Sequence, residues 1–249
     1  MLIMIAGASA VFSDEPPGAW PQDSIYPVRK TVAPITVDGV ADEAAWEKAP
    51  AIPFVYFFGV DQPADEQSTT LKMLWDETNL YLFYDCADQG LTARETERNG
   101  YPFWDDCAEI FLRPSADPIG MHFAFEINLY KKPNDIIMIN GLYNGTNIAV
   151  AGYDPDYEME VRLNGTLNDD SDVDEGWTME IAIPLAALRT NWALPKIGEG
   201  VEWGFMGVRL NRDVLEGNNR TVSTPFSLMG NRKNLHEPEC FGRMRFSGE

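Results

Sequence analysis

The sequence predicts an all-β chain: a two-sheet antiparallel β-sandwich with one or two short helices. Short runs that alternate apolar and polar residues recur along it, separated by turn residues. Runs with helical period are few. Gly 20 and Pro 17 in 249 residues match a chain built from many strands joined by turns. Strands are expected at 34–37, 52–58, 69–75, 80–87, 107–113 and 122–130. Further strands are expected at 136–140, 158–163, 176–183, 202–210 and 241–246. Asp76-Glu77-Thr78-Asn79 reads as a tight hairpin turn between two of them. A helix is expected at 42–48, opening on an Asp cap and stopping before Pro50. A second, of one or two turns, is expected at 184–188, with Pro184 at its start.

The run Trp104-Asp105-Asp106-Cys107-Ala108-Glu109-Ile110-Phe111-Leu112-Arg113-Pro114 is the most informative. Ala108, Ile110 and Leu112 point one way; Glu109, Phe111 and Arg113 point the other. In the next strand Phe123, Phe125, Ile127 and Leu129 form the apolar face, opposite His122, Glu126 and Asn128. The second face therefore offers carboxylates, an amide, an imidazole and aromatics. That mixture suits a polyhydroxylated ligand, with rings for its CH face and polar groups for its hydroxyls.

Charge narrows the partners. Asp plus Glu number 39 against 19 Lys plus Arg, a net charge of −20. Such a field repels a phosphate polyanion, so nucleic acid is not an expected partner, and anionic lipid surfaces are disfavoured in the same way. Residues 1–12 form an apolar run with Ala8-Ser9-Ala10 as a small-x-small cleavage pattern, too short to span a bilayer. A signal peptide or its remnant is the expectation, with a floppy apolar terminus as the alternative. The chain then divides into residues 1–27, a signal-peptide remnant and flexible leader, and residues 28–249, one domain. A secreted or periplasmic monomer without membrane insertion is expected. Cys86, Cys107 and Cys240 cannot all pair within one chain. A Cys86–Cys107 bridge and three buried free thiols are both open, the thiols being the expectation.

Ile35-Thr36-Val37-Asp38-Gly39-Val40-Ala41-Asp42-Glu43-Ala44-Ala45-Trp46 resembles the opening motif of carbohydrate-binding module family 9 and its relatives in the DOMON-like superfamily. The hairpin Leu71 to Leu82, the strand Asp105-Asp106-Cys107-Ala108-Glu109-Ile110-Phe111-Leu112 and Phe125-Glu126-Ile127-Asn128 resemble later family segments. So do Gly176-Trp177-Thr178-Met179-Glu180-Ile181-Ala182-Ile183-Pro184 and the closing His236-Glu237-Pro238 with Phe241-Gly242-Arg243. The matches keep family order over about residues 34–246. The resemblance implies a non-catalytic domain that holds a sugar, at a chain end, between two aromatic side chains. Trp104 stands where the first aromatic belongs, with Phe103 the competing residue. Phe226 stands where the family usually carries the second, a Trp. Glu109, Glu126 and Arg209 are the polar positions this carries over, beside Asn128 from the polar face of its strand; the family often has a basic residue where Glu126 falls. Trp46 and Trp177 read as core anchors.

Three other constellations are weighed. Asp170, Asp172 and Asp174 place oxygens at alternating positions, which suits structural Ca²⁺ or a solvated acidic loop; Asp105 and Asp106 are a second such pair. Glu109 and Glu126 on neighbouring strands could serve a glycoside hydrolase. His122 and His236, the only histidines, leave a haem-binding relative of the same fold as a further alternative.

Overall fold

The computed structural model describes residues 16–21, 23–58, 67–114, 120–143, 146–189, 196–217, 220–228 and 234–248. The first strand is β1 (Ile25–Lys30), followed by a five-residue helix, α1 (Ala44–Lys48), and short strands β2 (Ile52–Pro53) and β3 (Tyr56–Phe58). The hairpin β4 (Thr69–Trp75) and β5 (Asn79–Ala87) comes next. Then β6 (Cys107–Pro114), β7 (Met121–Asn128), β8 (Pro133–Tyr143) and β9 (Thr146–Val150) run as a meander. The chain continues through β10 (Glu158–Asn164), β11 (Gly176–Pro184), β12 (Glu202–Asn211), β13 (Thr221–Thr224) and β14 (Gly242–Ser247).

Hydrogen bonding links the strands in the order β10-β11-β5-β4-β1-β14-β12-β6-β7-β8-β9. β13 adds to β12, β3 to β13, and β2 to β4. The sandwich is thus one curled sheet rather than two separate ones. β1 makes the join, pairing parallel with β14 on one side and with β4 on the other. The other pairings are antiparallel, as the alternation predicts. Phe125, Ile127, Trp177 and Ile183 lie in the main core between the two halves, as expected. Trp46 does not. It packs in a smaller cluster with Leu74, Tyr81, Phe83 and Ala182, where α1 covers the outer face of β4, β5 and β11.

Several expected elements shift. β1 begins at Ile25, within the segment expected as a leader, and its Tyr26 and Val28 are fully buried. Pro27, in the middle of β1, is what makes that segment read as non-strand. Segment 34–37 is irregular; its Ile35 and Val37 pack on the small outer cluster. α1 has no side-chain cap, and its N-cap is Glu43 rather than Asp42. Residues 185–188 form turns instead of a helix, since Leu185 N–H donates to Thr78 O at 2.7 Å and ties them to the β4–β5 turn. That turn forms as predicted: Asp76 Oδ1 accepts from Thr78 N and Asn79 N, both at 2.7 Å. Cys86, Cys107 and Cys240 are buried free thiols. No helix among the described residues is long and apolar enough to cross a membrane.

The motif residues Asp38, Gly39, Trp46 and Glu180 meet at one point. Glu180 Oε2 accepts from Asp38 N and Gly39 N at 3.0 Å each, and its Oε1 accepts from Trp46 Nε1 at 3.2 Å. Gly39 has φ +84°, and a Cβ there would stand 2.8 Å from Arg162 Cγ. A tight left-handed turn is thereby fastened to the middle of β11. Glu180→Ala removes acceptors from three N–H groups, two of them backbone. We expect a loss of about 2–3 kcal/mol, read as a lower urea midpoint. An unchanged midpoint would show that the turn is not held through this carboxylate.

Candidate functional site

Antiparallel register sets Glu109 directly opposite Glu126, Cys107 opposite Asn128 and Phe111 opposite Ala124. The alternation read from the sequence is therefore correct about which residues share this face. It does not show that the face is covered: Glu109 is 3% and Glu126 4% exposed. Asn134 Nδ2, from β8, donates to Glu126 Oε2 at 2.7 Å. Burial, then the neighbouring Glu126 carboxyl, holds Glu109 well above the ordinary carboxylate range. Burial pushes Glu126 up to about 7, against the pull of Asn134 and Arg220. The two form a carboxyl pair that keeps a proton near neutrality.

The same face continues into a stack of rings. His236 lies on Phe111 at 4.5 Å between centroids, and His122 Nε2 and His236 Nδ1 are 3.0 Å apart. Burial drives His236 down to about 4, so its ring is neutral. Two imidazoles hydrogen-bonded to each other are not a pair of axial ligands, which removes the sequence basis for a haem site.

Trp104 ends a 3₁₀ turn, Pro102–Trp104, at the rim of this region. Its ring is 38% exposed, next to the exposed Tyr101 and the half-buried Phe103. An open depression of about 490 Å³ lies against it, lined by Arg94, Glu95, Tyr101, Trp104 and Asp105. The guanidinium of Arg220 stands over the Trp104 ring at 4.1 Å from its centroid and over Phe103 at 5.8 Å. Arg220 also bonds Phe103 O and feels the charges of Glu109 and Glu126. Arg220, Arg94 and Tyr101 are members of this rim that sequence reading misses. No local motif marks them.

The Asp105-Asp106 pair holds the Trp104 turn in place. Asp105 Oδ2 accepts from Glu95 N at 2.8 Å and from Asn128 Nδ2 at 2.9 Å. Asp106, fully buried, accepts from Thr92 N at 2.6 Å and Arg212 N at 2.7 Å. Asn128 is part of this brace rather than a ligand group: its Oδ1 accepts from Tyr130 N at 3.1 Å and Lys132 N at 3.0 Å. In the acidic loop, Asp174 is buried and accepts from Leu91 N at 2.8 Å and Thr166 N at 2.7 Å. Asp170 accepts from Leu215 N at 3.1 Å, while Asp172 is exposed. Asp174 and Asp170 thus hold their loops through backbone N–H bonds. Among the described residues no group of three or more acidic, His or Cys side chains converges on one point.

Two more expectations need correction. Arg209 pairs in register with Ala108, so it faces away from Glu109 and into the space between the two halves. There it is 1% exposed, 2.9 Å from Asp88 Oδ2, and donates to Thr69 Oγ1 at 3.0 Å and Ala87 O at 2.7 Å. Trp177 Nε1 donates to the same Asp88 oxygen at 3.1 Å. Phe226 is fully buried, edge-on to Phe205 at 5.2 Å, and fills the space over Gly242, where a Cβ would come within 1.9 Å of it. It cannot close a clamp on Trp104. The segment before it is a strand, β13, rather than a loop.

A curled β-sandwich with an aromatic, polar rim at one end is the general form of a small-ligand-binding module. The sequence matches the family described as carbohydrate family 9 binding domain-like over residues 37–249, and the chain belongs to that family. Its fold is similar to that of a carbohydrate-binding module family 9 from Caldicellulosiruptor kristjanssonii in complex with cellotriose. That comparison has a TM-score of 0.57 and 19% identity, covering 90% of this chain and 94% of the other. The same organism's module in complex with glucose gives TM-score 0.57 and 19% identity, covering 90% and 96%. A protein from Bacteroides uniformis ATCC 8492 gives TM-score 0.61 and 18% identity, covering 89% and 98%. No curated protein matches the chain.

The carboxyl pair makes a pH prediction. Glu126 binds its proton more tightly folded, at about 7, than its ordinary 4.5 when unfolded. Its contribution is therefore fully present below about pH 4.5 and is lost as pH rises through about 7. The loss is on the order of 3 kcal/mol. Glu126→Gln should flatten the fall in melting temperature between pH 4.5 and 8 and raise it at pH 8. Parallel melting curves for the two proteins would count against a shared buried proton.

Proposed function

We propose that this chain is a non-catalytic carbohydrate-binding module whose sugar rests on the exposed face of Trp104. One observation carries the reading. Asp105 and Asp106 brace the Trp104 turn from inside, yet the indole itself stays 38% exposed beside an open depression. A rigid, exposed aromatic edged by hydrogen-bonding groups is what a pyranose ring needs. The similar structures with cellotriose and glucose support sugar as the ligand class. The burial of Glu109 and Glu126 supports binding over hydrolysis, because a hydrolytic pair must reach both the glycosidic oxygen and water. The apolar run at 1–12 supports action outside the cytoplasm.

The test is calorimetric titration with glucose and cellotriose. Trp104→Ala should weaken binding at least about tenfold, as loss of a stacking anchor does. Its melting temperature should stay within a few degrees, since the ring contributes little to the core. Unchanged affinity in this variant would move the site away from the rim.

A further inference from the structure

Three arginines converge on one tryptophan in a chain with 19 basic against 39 acidic residues. Arg220 covers the Trp104 ring at 4.1 Å. Arg212 Nε donates to Trp104 O at 2.6 Å, and Arg94 Nη2 reaches the same oxygen at 3.5 Å. Arg94 and Arg212 both also donate to Gly217 O. The hydrogen-bond partners of the three are thus main-chain carbonyls. Asp105, 3.6 Å from Arg94 Nε, already accepts from Glu95 N and Asn128, and Asp106 from two backbone amides.

Within this cluster Arg212 is fully buried and its Nη2 has no hydrogen-bond partner among the described residues. Burial, then the charge of Arg94, lowers the affinity of Arg212 for its own proton, against the pull of Asp105 and Asp106. Burial holds Glu109 above the ordinary carboxylate range and Glu126 up to about 7, so at neutral pH the pair is short of its full negative charge. Three cations whose hydrogen bonds go to main-chain carbonyls, with one carboxylate 3.6 Å from Arg94 and one donor unmatched among the described residues, can still take an anion.

Resting on the carbohydrate reading above, we propose that the Trp104 rim selects an anionic saccharide, one carrying a carboxylate or a sulfate group. Trp104 takes the sugar ring, and Arg94, which lines the depression, and Arg220, which stands over the indole, meet the charged substituent, with the buried Arg212 behind them. The overall charge of −20 does not oppose this. Distant charges are screened beyond about 8 Å at physiological salt, so the local arginines decide for a ligand with one anionic group. A polyanion spread along the surface meets the acidic field instead. Arg220 moves from the indole to the substituent, exchanging a cation–π contact for a charge-assisted bond.

The full chain is titrated at neutral pH with digalacturonate, glucose 6-sulfate, glucose and cellotriose. At least one anionic probe should bind about tenfold more tightly than the neutral sugars. Arg94→Gln and Arg220→Gln should each lower the ratio of that probe's affinity to that of cellotriose about tenfold. The response to the two anionic probes distinguishes carboxylate from sulfate. Equal or weaker binding of both anionic probes overturns the selectivity and leaves the carbohydrate-binding reading intact. Anionic binding that survives both substitutions overturns the assignment to these arginines. Binding of none of the four overturns both readings. Melting curves of both variants check that lost affinity is not lost fold.

Discussion

A single buried ion pair governs how the two halves of this molecule meet. Arg209 projects from β12 into the interior, and Asp88, just past β5, receives it. An arginine there needs many acceptors, and they come from β4 through Thr69, from Ala87 and Asp88, and from Asn211 on its own strand. The Trp177 indole from β11 bonds Asp88 and lies 5.6 Å beneath the guanidinium. Four strands from both halves are thereby held in one relative position. Such a pair gives modest net stability, but either charge alone would be costly, so the register of the halves is set by matching them.

The rim inherits its position from that pair. Burial and the nearby Asp88 push Asp106 well above the usual carboxylate range, while Arg209 pulls it back. Asp106 in turn receives the backbone N–H of Arg212, three residues after Arg209. Trp104, two residues before Asp106, is fixed through the same hydrogen bonds. Part of the chain's acidity is therefore internal architecture. Asp88, Asp105, Asp106, Asp174 and Glu180 each accept backbone N–H bonds that strand ladders leave unmatched at loops. Read as surface charge, or as cation ligands, these residues are misjudged.

What could be read in advance divides along a physical line. Period-two alternation located β4 to β7 and put Glu109 beside Glu126, because side-chain facing follows from local backbone geometry alone. Asp76 announced its turn because the bonds that close it lie within three residues. Long-range facts were not legible. β1 was hidden by Pro27, which reads as a strand breaker until two parallel neighbours are known. The family resemblance carries Arg209 into the cleft, since an aligned position does not say what lies beyond its face. Phe226 was lost in the same way: a buried aromatic and a rim aromatic differ only in what Phe205 and Gly242 do around them. Arg220 reaches Trp104 across more than a hundred residues of chain, and no spacing rule connects them.

The position of β1 also dictates an order of assembly. Its residues 25–29 pair with 243–247, while only Arg29 and Lys30 pair with β4. Among the described strands β1 is made first and β14 last, so β1 must wait for β14 before the sheet can be joined. Contacts of such long sequence separation make folding slow and late. Until β14 arrives, β1 and β4 present unpaired backbone edges, the state in which strands pair wrongly with other chains. A sheet closed through β1 and β14 thus has two halves that can each form before the seam between them is sealed.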